Sequence, residues 1–224
     1  MPERAEIAIM ADQIGRSIND KICKRVTILP KYSKAFNEGF YSSMRLNYGT
    51  QFGTVYVDIN IKLLHVTSYG KKIIFIFENG LFFISSCGMT GRWTFKHSKN
   101  TCLILLFDDT FLFYEELDIG GNFSICMNLS SEYSHIFKNV GQDIMNNDFN
   151  WTTFYHILKK QEISNMKICE FLLEQKYISG IGNYLRAEIL YYSRINPHRI
   201  ISSLDDEELY NIFYYSKNVI MEAY

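Results

Sequence analysis

The amino-terminal residues Pro2, Glu3 and Glu6 place a possible nucleophile beside two acids. Once Met1 is removed, Pro2 presents a secondary amine, and α-amino groups have a pKa of about 7.7–8.0. The neutral fraction of such an amine near pH 7 can attack an electrophilic carbon and form an iminium. An ordinary helix start explains the same residues, because proline suits the first turn and acids suit the helix dipole. The segment alone leaves both interpretations open.

A second segment, Gly180-Ile181-Gly182-Asn183, combines a glycine-containing turn with the start of a helix-forming run. Glycine permits backbone angles that a side chain forbids. Asn183 is a favoured N-cap residue, and the first amides of the following helix lack internal partners. Those amides and the helix dipole can hold a phosphate group. A tight helical corner without a ligand explains the pattern equally well.

Residues 176–199 resemble the helix–two-turn–helix motif of the formamidopyrimidine-DNA glycosylase / endonuclease VIII family. The run from Gly180 to Leu190 is most similar to the endonuclease VIII-like branch. In that family the asparagine of the turn and neighbouring backbone amides bind DNA phosphates beside a damaged nucleotide. The resemblance therefore implies DNA-binding roles for Asn183, Tyr184 and Arg186.

The opening of the chain is similar to the Pro-Glu-x-x-Glu signature of the same family. The resemblance implies that Pro2 is the nucleophile, Glu3 a proton donor and Glu6 an acidic partner. Arg4 and Ala5 depart from the residues commonly found between them. Because neither position carries the chemistry, we interpret this departure as tolerable.

Two further segments carry the resemblance. The family has a phosphate-binding lysine directly after a glycine, and Tyr69-Gly70-Lys71-Lys72 resembles that segment. The resemblance implies a catalytic-site role for Lys71, with Lys72 as the weaker match. A lysine at a strand edge otherwise only blocks edge pairing. The loop from Ser86 to Arg92 resembles one whose methionine fills the gap left by an extruded nucleotide, which implies Met89 as this wedge and Arg92 as a phosphate contact. Methionine more commonly fills gaps in a core.

The chain departs from the family at two places. Where family members often present an Arg-x-Phe pair, residues Glu115–Phe123 contain no arginine. Acids in this region either face away from DNA or weaken duplex binding, which puts the double-strand preference in doubt. The sequence also ends at Tyr224, before the family's C-terminal finger segment, so either that segment is truncated or the protein dispenses with it.

Composition restricts the partners and cofactors. A net charge of −1 means that any nucleic-acid site must be a local basic patch, and Lys21–Phe36 is either such a patch or a solvated face. The five cysteines are scattered without a CxxC pair, so no metal site, disulfide framework or cofactor is expected. Without a signal peptide or membrane-length apolar run, the chain is expected to be intracellular, wherever DNA resides, and not secreted. We expect it to be a monomer.

Apolar periodicity divides the chain into two parts. Short alternating runs, with an Asn79-Gly80 hairpin signal, predict an antiparallel sandwich or barrel. Residues 140–150 resemble a linker, and apolar spacings of three and four from Trp151 onward predict helices. We therefore expect an α+β fold: an N-terminal helix plus antiparallel β-sandwich domain at 1–134, then a helical helix–two-turn–helix domain at 135–224. The predicted strands are Thr54–Ile61, Leu63–Thr67, Ile73–Phe77, Leu81–Ser85, Cys102–Phe107, Phe111–Tyr114 and Phe123–Met127.

The resemblance implies a base-excision-repair DNA glycosylase with abasic-site lyase activity, acting on damaged single- or double-stranded DNA. A non-catalytic damaged-DNA-binding module of the same fold is the first alternative. An RNA- or ribosome-associated protein is the second, because a related helix–two-turn–helix occurs there. That alternative gives no reason for the Pro-Glu-x-x-Glu opening.

Overall fold

The computed structural model describes residues 2–35, 47–117, 120–127, 134–135 and 137–224. The chain forms two compact units. The first, here called the sheet unit, contains Met1–Pro2, Met10–Ser68 and Lys72–Tyr133. The second, the helical unit, contains Glu3–Ile9, Tyr69–Lys71 and Ser134–Tyr224. The division into domains 1–134 and 135–224 stays a prediction.

The sheet unit follows a long N-terminal helix, α1 (Arg4–Ile18), whose first residues belong to the helical unit. The described strands form a sheet of order β6-β8-β7-β1-β3-β4-β5-β9, with β2 beside β3. Antiparallel registers join β1 to both β3 and β7, and β5 to both β4 and β9. The strands are β1 (Ile22–Ile28), β2 (Asn47–Gln51), β3 (Thr54–Tyr69), β4 (Lys72–Phe77), β5 (Leu81–Ser86), β6 (Arg92–Thr94), β7 (Thr101–Phe107), β8 (Phe111–Glu115) and β9 (Asn122–Met127).

Two local features of the sheet test the expected strand boundaries. The predicted hairpin at Asn79-Gly80 is confirmed: φ is 60° at Asn79 and 72° at Gly80, as a type I′ turn between β4 and β5 requires. The separate strands predicted at Thr54–Ile61 and Leu63–Thr67 are instead one strand, β3. Asn60 has a φ of 45°, and asparagine tolerates this conformation well enough for the strand to continue.

Aromatic side chains pack the interior of the sheet unit. Phe75 and Trp93 have ring centroids 5.3 Å apart, and Trp93 lies 5.2 Å from Tyr114. Phe77 and Phe83 are closer still, at 4.4 Å. All five side chains are buried, so this cluster supplies much of the apolar surface that stabilises the sheet.

The helical unit contains four described helices and a small parallel pairing. The pairing joins β10 (Gln142–Asp143), which lies in the segment predicted as a linker, to β11 (Ile178–Ser179). The sequence does not reveal β10, because a two-residue strand has no detectable periodicity. A capping box formed by Asp205 and Glu208 begins the last helix. The elements are β10 (Gln142–Asp143), α2 (Trp151–Leu158), α3 (Ile168–Leu173), β11 (Ile178–Ser179), α4 (Asn183–Ser193) and α5 (Asp206–Ala223).

One apolar core holds the helical unit together, and it includes the fully buried Phe154, Phe171, Leu185 and Ile212 from α2, α3, α4 and α5. Apolar residues three and four apart put these side chains on the inner face of each helix. None of the described helices combines the length and apolar character that a membrane-spanning segment needs. The expected α+β class, with an N-terminal helix, an antiparallel sheet and a helical C-terminal region, is confirmed.

Candidate active site

The Glu3 carboxylate lies at the N-terminal end of α4. Its oxygens accept hydrogen bonds from the backbone N–H groups of Gly182 at 2.9 Å, Tyr184 at 3.0 Å and Leu185 at 3.1 Å. The side chain is buried, and the donors are amides that the helix itself leaves without partners. The sequence predicted that these amides could hold a phosphate. In the structure a carboxylate of the same chain occupies them, as the helix dipole favours for an anion.

The two glycines of the turn allow this close approach. A Cβ on Gly182 would lie 2.2 Å from Cδ of Glu3, and a Cβ on Gly180 would lie 2.8 Å from Cβ of Arg4. Gly180 also has a φ of 112°, which only glycine adopts without strain. The observed N-cap is Gly182, one position before the predicted cap Asn183, which is instead the first helical residue. The glycine is needed there because the Glu3 side chain fills the space.

The predicted DNA-binding residues of α4 differ in exposure. Asn183 is exposed, Tyr184 is 37% exposed and Arg186 is half-buried. Asn183 and Arg186 are three positions apart, so they lie on the same side of the helix. Burial raises the pKa of Tyr184, and the nearby carboxylates of Glu6 and Glu3 raise it further, so its hydroxyl stays protonated. These positions leave polar groups available beside the turn.

A hydrogen bond between Glu3 and Glu6 orders the start of the chain. The Glu6 carboxylate accepts the backbone N–H of Glu3 at 2.7 Å, in the manner of the glutamate of a capping box. Glu6 is exposed, and Pro2 is half-buried and joined to Glu3 by the peptide bond. The structure therefore gives Glu6 a contact with the backbone that carries both predicted reactive groups.

Lys71 belongs to the helical unit and follows a constrained glycine. Gly70 has a φ of 56°, and a Cβ there would lie 2.8 Å from Oγ of Ser179. Burial lowers the pKa of Lys71, and the charge of Glu3 opposes that change. Burial likewise lowers the pKa of Lys72, which begins β4, but Glu3 is not among the causes there. The electrostatic link to Glu3 thus distinguishes Lys71 from its neighbour.

A buried ion pair between Arg4 and Asp143 lies beside Glu3, and the sequence motifs do not predict it. Nε of Arg4 lies 2.7 Å from Oδ1 of Asp143, and the side chains are 7% and 3% exposed. By sequence, Arg4 is only a departure from the family motif, and Asp143 lies in the predicted linker. A charged residue among Ala5, Ile7 and Ala8, all buried, is the signal that could have identified it.

Within the sheet unit, the loop after β5 presents Met89, which is 75% exposed. Two tight approaches shape the loop. A Cβ on Gly88 would lie 2.6 Å from backbone atoms of Gly120 and Gly121, and a Cβ on Gly91 would lie 2.1 Å from the Tyr114 hydroxyl. The loop therefore packs closely at both glycines and presents a large apolar side chain to solvent, where it can contact a partner.

Glu115 and Glu116, which lie where family members often have an arginine, both accept hydrogen bonds from other groups of this chain. Two nitrogens of Arg92 contact Oε2 of Glu115, at 3.0 and 3.1 Å. Burial raises the pKa of Glu115, but hydrogen bonds from Ser98 and Arg92 outweigh it, so the net shift is downward. Glu116 is buried and accepts the N–H groups of Gly120 and Gly121 through Oε1. Of the two expectations, the structure supports inward-facing acids for Glu115 and Glu116, while Asp118 lies outside the described residues.

Much of the basic segment Lys21–Phe36 is also paired, although residue 36 lies outside the described residues. Lys21, Lys24 and Arg25 each form an ion pair with an aspartate, and Lys31 donates to the carbonyl oxygens of Glu116 and Leu117. Exposed ion pairs contribute at most about 1 kcal/mol, so a phosphate can compete for these cations. The arrangement fits a solvated face better than a dedicated phosphate patch.

Known proteins resemble this chain both in its C-terminal region and along most of its length. Residues 140–224 match the formamidopyrimidine-DNA glycosylase H2TH domain. The formamidopyrimidine-DNA glycosylase of Mycoplasma pneumoniae is 29% identical over 213 residues, covering 92% of this chain and 71% of that protein. Its counterpart in Mycoplasma genitalium is 29% identical, covering 93% and 70%.

Solved structures agree at the level of the fold. The MutM (Fpg) protein of Thermus thermophilus superposes with a TM-score of 0.82 at 19% identity, covering 99% of this chain and 76% of that chain. A Lactococcus lactis formamidopyrimidine-DNA glycosylase, bound non-covalently to DNA containing an AP site, gives 0.79 at 18% identity, with 99% and 81% covered. These relatives are formamidopyrimidine-DNA glycosylases, so the endonuclease VIII-like branch stays a prediction. With the helix–two-turn–helix turn closed by Glu3, the chain resembles the formamidopyrimidine-DNA glycosylase / endonuclease VIII family in its helical unit, in sequence along most of its length and in fold.

Proposed function

We propose that this protein is a base-excision-repair DNA glycosylase with abasic-site lyase activity, acting on oxidised bases in DNA. The observation that carries the proposal is the burial of Glu3 against three amides at the start of α4. It fixes an acid, and the Pro2 residue bonded to it, beside a turn whose Asn183 side chain is exposed.

The proposed reaction uses the imino nitrogen of Pro2, free after removal of Met1. This nitrogen forms a bond to the anomeric carbon of an extruded nucleotide, and the bond from that carbon to the damaged base breaks. Glu3 gives a proton to the sugar ring oxygen, so the ring opens and an iminium forms. The iminium acidifies the neighbouring carbon, and loss of a proton there expels the 3′ phosphate by β elimination. Loss of a second proton, from the sugar carbon now conjugated with the iminium, expels the 5′ phosphate by δ elimination.

In this proposal, five of the described side chains contact DNA. Asn183, Tyr184 and Arg186 lie at or near the start of α4, and Lys71 supplies a half-buried cation near Glu3. Met89 supplies an exposed apolar side chain that can replace stacking lost when a nucleotide leaves the duplex. The Lactococcus lactis relative was solved with DNA containing an AP site, which supports damaged DNA as the partner. This chemistry requires no metal ion and no organic cofactor.

Borohydride trapping tests the nucleophile directly. Reduction of the iminium should give a stable protein–DNA adduct, and Pro2→Gly should lower its yield by about 100-fold or more, because the constrained secondary amine is lost. Pro197→Gly is the matched control, since Pro197 is exposed and lies outside the proposed site. Mass spectrometry of the protein should confirm that Met1 is absent.

The outcomes separate the proposal from its alternative. Undiminished trapping in Pro2→Gly would reject Pro2 as the nucleophile. Tight binding to an abasic-site duplex, with neither base release nor strand cutting by the unmodified protein, would instead identify a non-catalytic damaged-DNA-binding module. A panel of pyrimidine and hydantoin lesions, in single and double strands, would define the substrate.

Removing the Met89 side chain should slow base release from duplex DNA. Unstacking costs a few kcal/mol, and losing part of the replacement contact, about 1–2 kcal/mol, lowers the rate roughly tenfold for Met89→Ala. Stability should change by less than about 0.5 kcal/mol, because the side chain is 75% exposed. Met221→Ala, at a 56% exposed position, is the matched control. Equal rates for both variants would contradict the wedge role.

A further inference from the structure

Arg4 and Asp143 meet in the interior of the helical unit. Nε of Arg4 donates to both carboxylate oxygens, at 2.7 Å to Oδ1 and 2.8 Å to Oδ2. Both side chains are buried. Moving two charges out of water is costly, and replacing such a pair with apolar residues often leaves a protein no less stable. Stability alone is therefore a weak reason for this pair.

The Asp143 carboxylate also holds two backbone segments. Oδ2 accepts the N–H of Gly70 at 3.0 Å, and Oδ1 accepts the N–H of Met145 at 2.9 Å. Gly70 directly precedes Lys71. The Asp143 carboxylate thus links Arg4, the residue after Glu3, to the turn that carries Lys71. Burial lowers the pKa of Lys71, and the charge of Glu3 partly offsets this effect.

Arg4 is fixed to the helix–two-turn–helix turn as well. Its backbone N–H donates to the carbonyl oxygen of Gly180 at 3.1 Å. The Cβ, Cγ and Cδ atoms of its side chain lie 2.8, 3.0 and 3.1 Å from the position that a Cβ on Gly180 would take. The side chain therefore runs along the turn before it reaches Asp143.

We propose that Arg4 and Asp143 are positioning residues, which set the placement of Glu3 and Lys71 relative to the turn. The inference rests on the proposed function, in which both residues serve the reaction. Arg4 restrains Glu3 from its C-terminal side, and Asp143 restrains Lys71 through Gly70. Neither touches the reacting atoms. Their effect follows from geometry, because a misplacement of about 1 Å can lower a rate by about 100-fold.

A set of variants separates positioning from simple loss of folding. Arg4→Met leaves the Asp143 charge buried and unpaired, and Arg4→Lys restores the charge without the planar fork of arginine. Asp143→Asn keeps an acceptor oxygen but removes the charge. Arg199→Met is the matched control, because Arg199 pairs with Glu208 within the same unit. Each variant is examined by single-turnover adduct formation, by affinity for an abasic-site-analogue duplex and by amide hydrogen exchange.

Positioning predicts that Arg4→Met lowers the single-turnover rate by about 100-fold while its DNA affinity stays within about threefold. Arg4→Lys should recover part of the rate, and Arg199→Met should retain it. Hydrogen exchange should lose protection at the amides of Gly70, Tyr184 and Leu185 in Arg4→Met, with the middle of α4 still protected. A rate that falls only with the folded fraction would overturn the inference.

The exchange measurement is independent of catalysis. Absence of any adduct with the unmodified protein would reject the proposed function, whatever the exchange pattern. Normal protection at Gly70 and Leu185 in Arg4→Met, in a protein that otherwise forms adducts, would reject the positioning role and leave the function standing.

Discussion

Gly182→Ala is expected to lower adduct formation by about 100- to 10,000-fold, the range attributed to a positioned proton donor. The added Cβ would lie 2.2 Å from both Cδ and Oε1 of Glu3, a separation that real structures essentially never contain. The carboxylate must therefore leave the amides of Gly182, Tyr184 and Leu185. The helix itself can form with alanine, since Gly182 has a negative φ of −124°. Single-turnover borohydride trapping measures the effect.

Gly49→Ala is the matched control, because a Cβ on Gly49 would have nothing within 4 Å. Glu3→Gln provides the comparison for chemistry, as it keeps a similar shape but removes the ionisable group. We expect Gly182→Ala to resemble Glu3→Gln in rate. Wild-type adduct formation in Gly182→Ala would show that the reaction does not need the contacts between Glu3 and the amides. Those contacts would then no longer support the proposed function.

Phe154→Ala should destabilise the helical unit by about 3–5 kcal/mol, the usual cost of removing a fully buried phenylalanine side chain. Its ring lies 6.1 Å from Phe149, 6.2 Å from Phe171 and 5.6 Å from Phe213, measured between centroids, and the residue is 0% exposed. Aromatic pairs add to the loss beyond the buried area alone. Urea denaturation followed by far-UV circular dichroism measures the free energy of unfolding.

Tyr191→Ala is the control for aromatic truncation in the same unit. Tyr191 is 77% exposed, so its loss should change the free energy of unfolding by less than about 0.5 kcal/mol. A similarly small change for Phe154→Ala would mean that neighbouring side chains collapse into the space, and that the core around α2 is not tightly packed.

Local features of the sequence predicted the elements well. Asn79-Gly80 identified its hairpin because both residues accept positive φ, and spacings of three and four identified the helices after Trp151. Where local information was weak, the boundaries were wrong. Asn60 joined two expected strands, and β10 replaced part of an expected linker. In each case the missing information was the pairing partner, which periodicity does not report.

The candidate site divides in the same way. Residue types and short motifs were enough to identify Pro2, Glu3 and the turn at Asn183. Each of these motifs consists of residues that are neighbours in the sequence, so no knowledge of the fold is needed to recognise it. The contacts among them depend on residues far apart in sequence. Glu3 and Gly182 are 179 positions apart, and Arg4 and Asp143 are 139 apart.

The sequence by itself therefore determined which groups could react and which segments could turn. Only the tertiary structure decided that the backbone amides at the start of α4 bind the Glu3 carboxylate and not a phosphate group. It also decided that Arg4 is buried against Asp143. The physical reason is that backbone amides and buried charges must find partners, and the partner is chosen by how the whole chain packs.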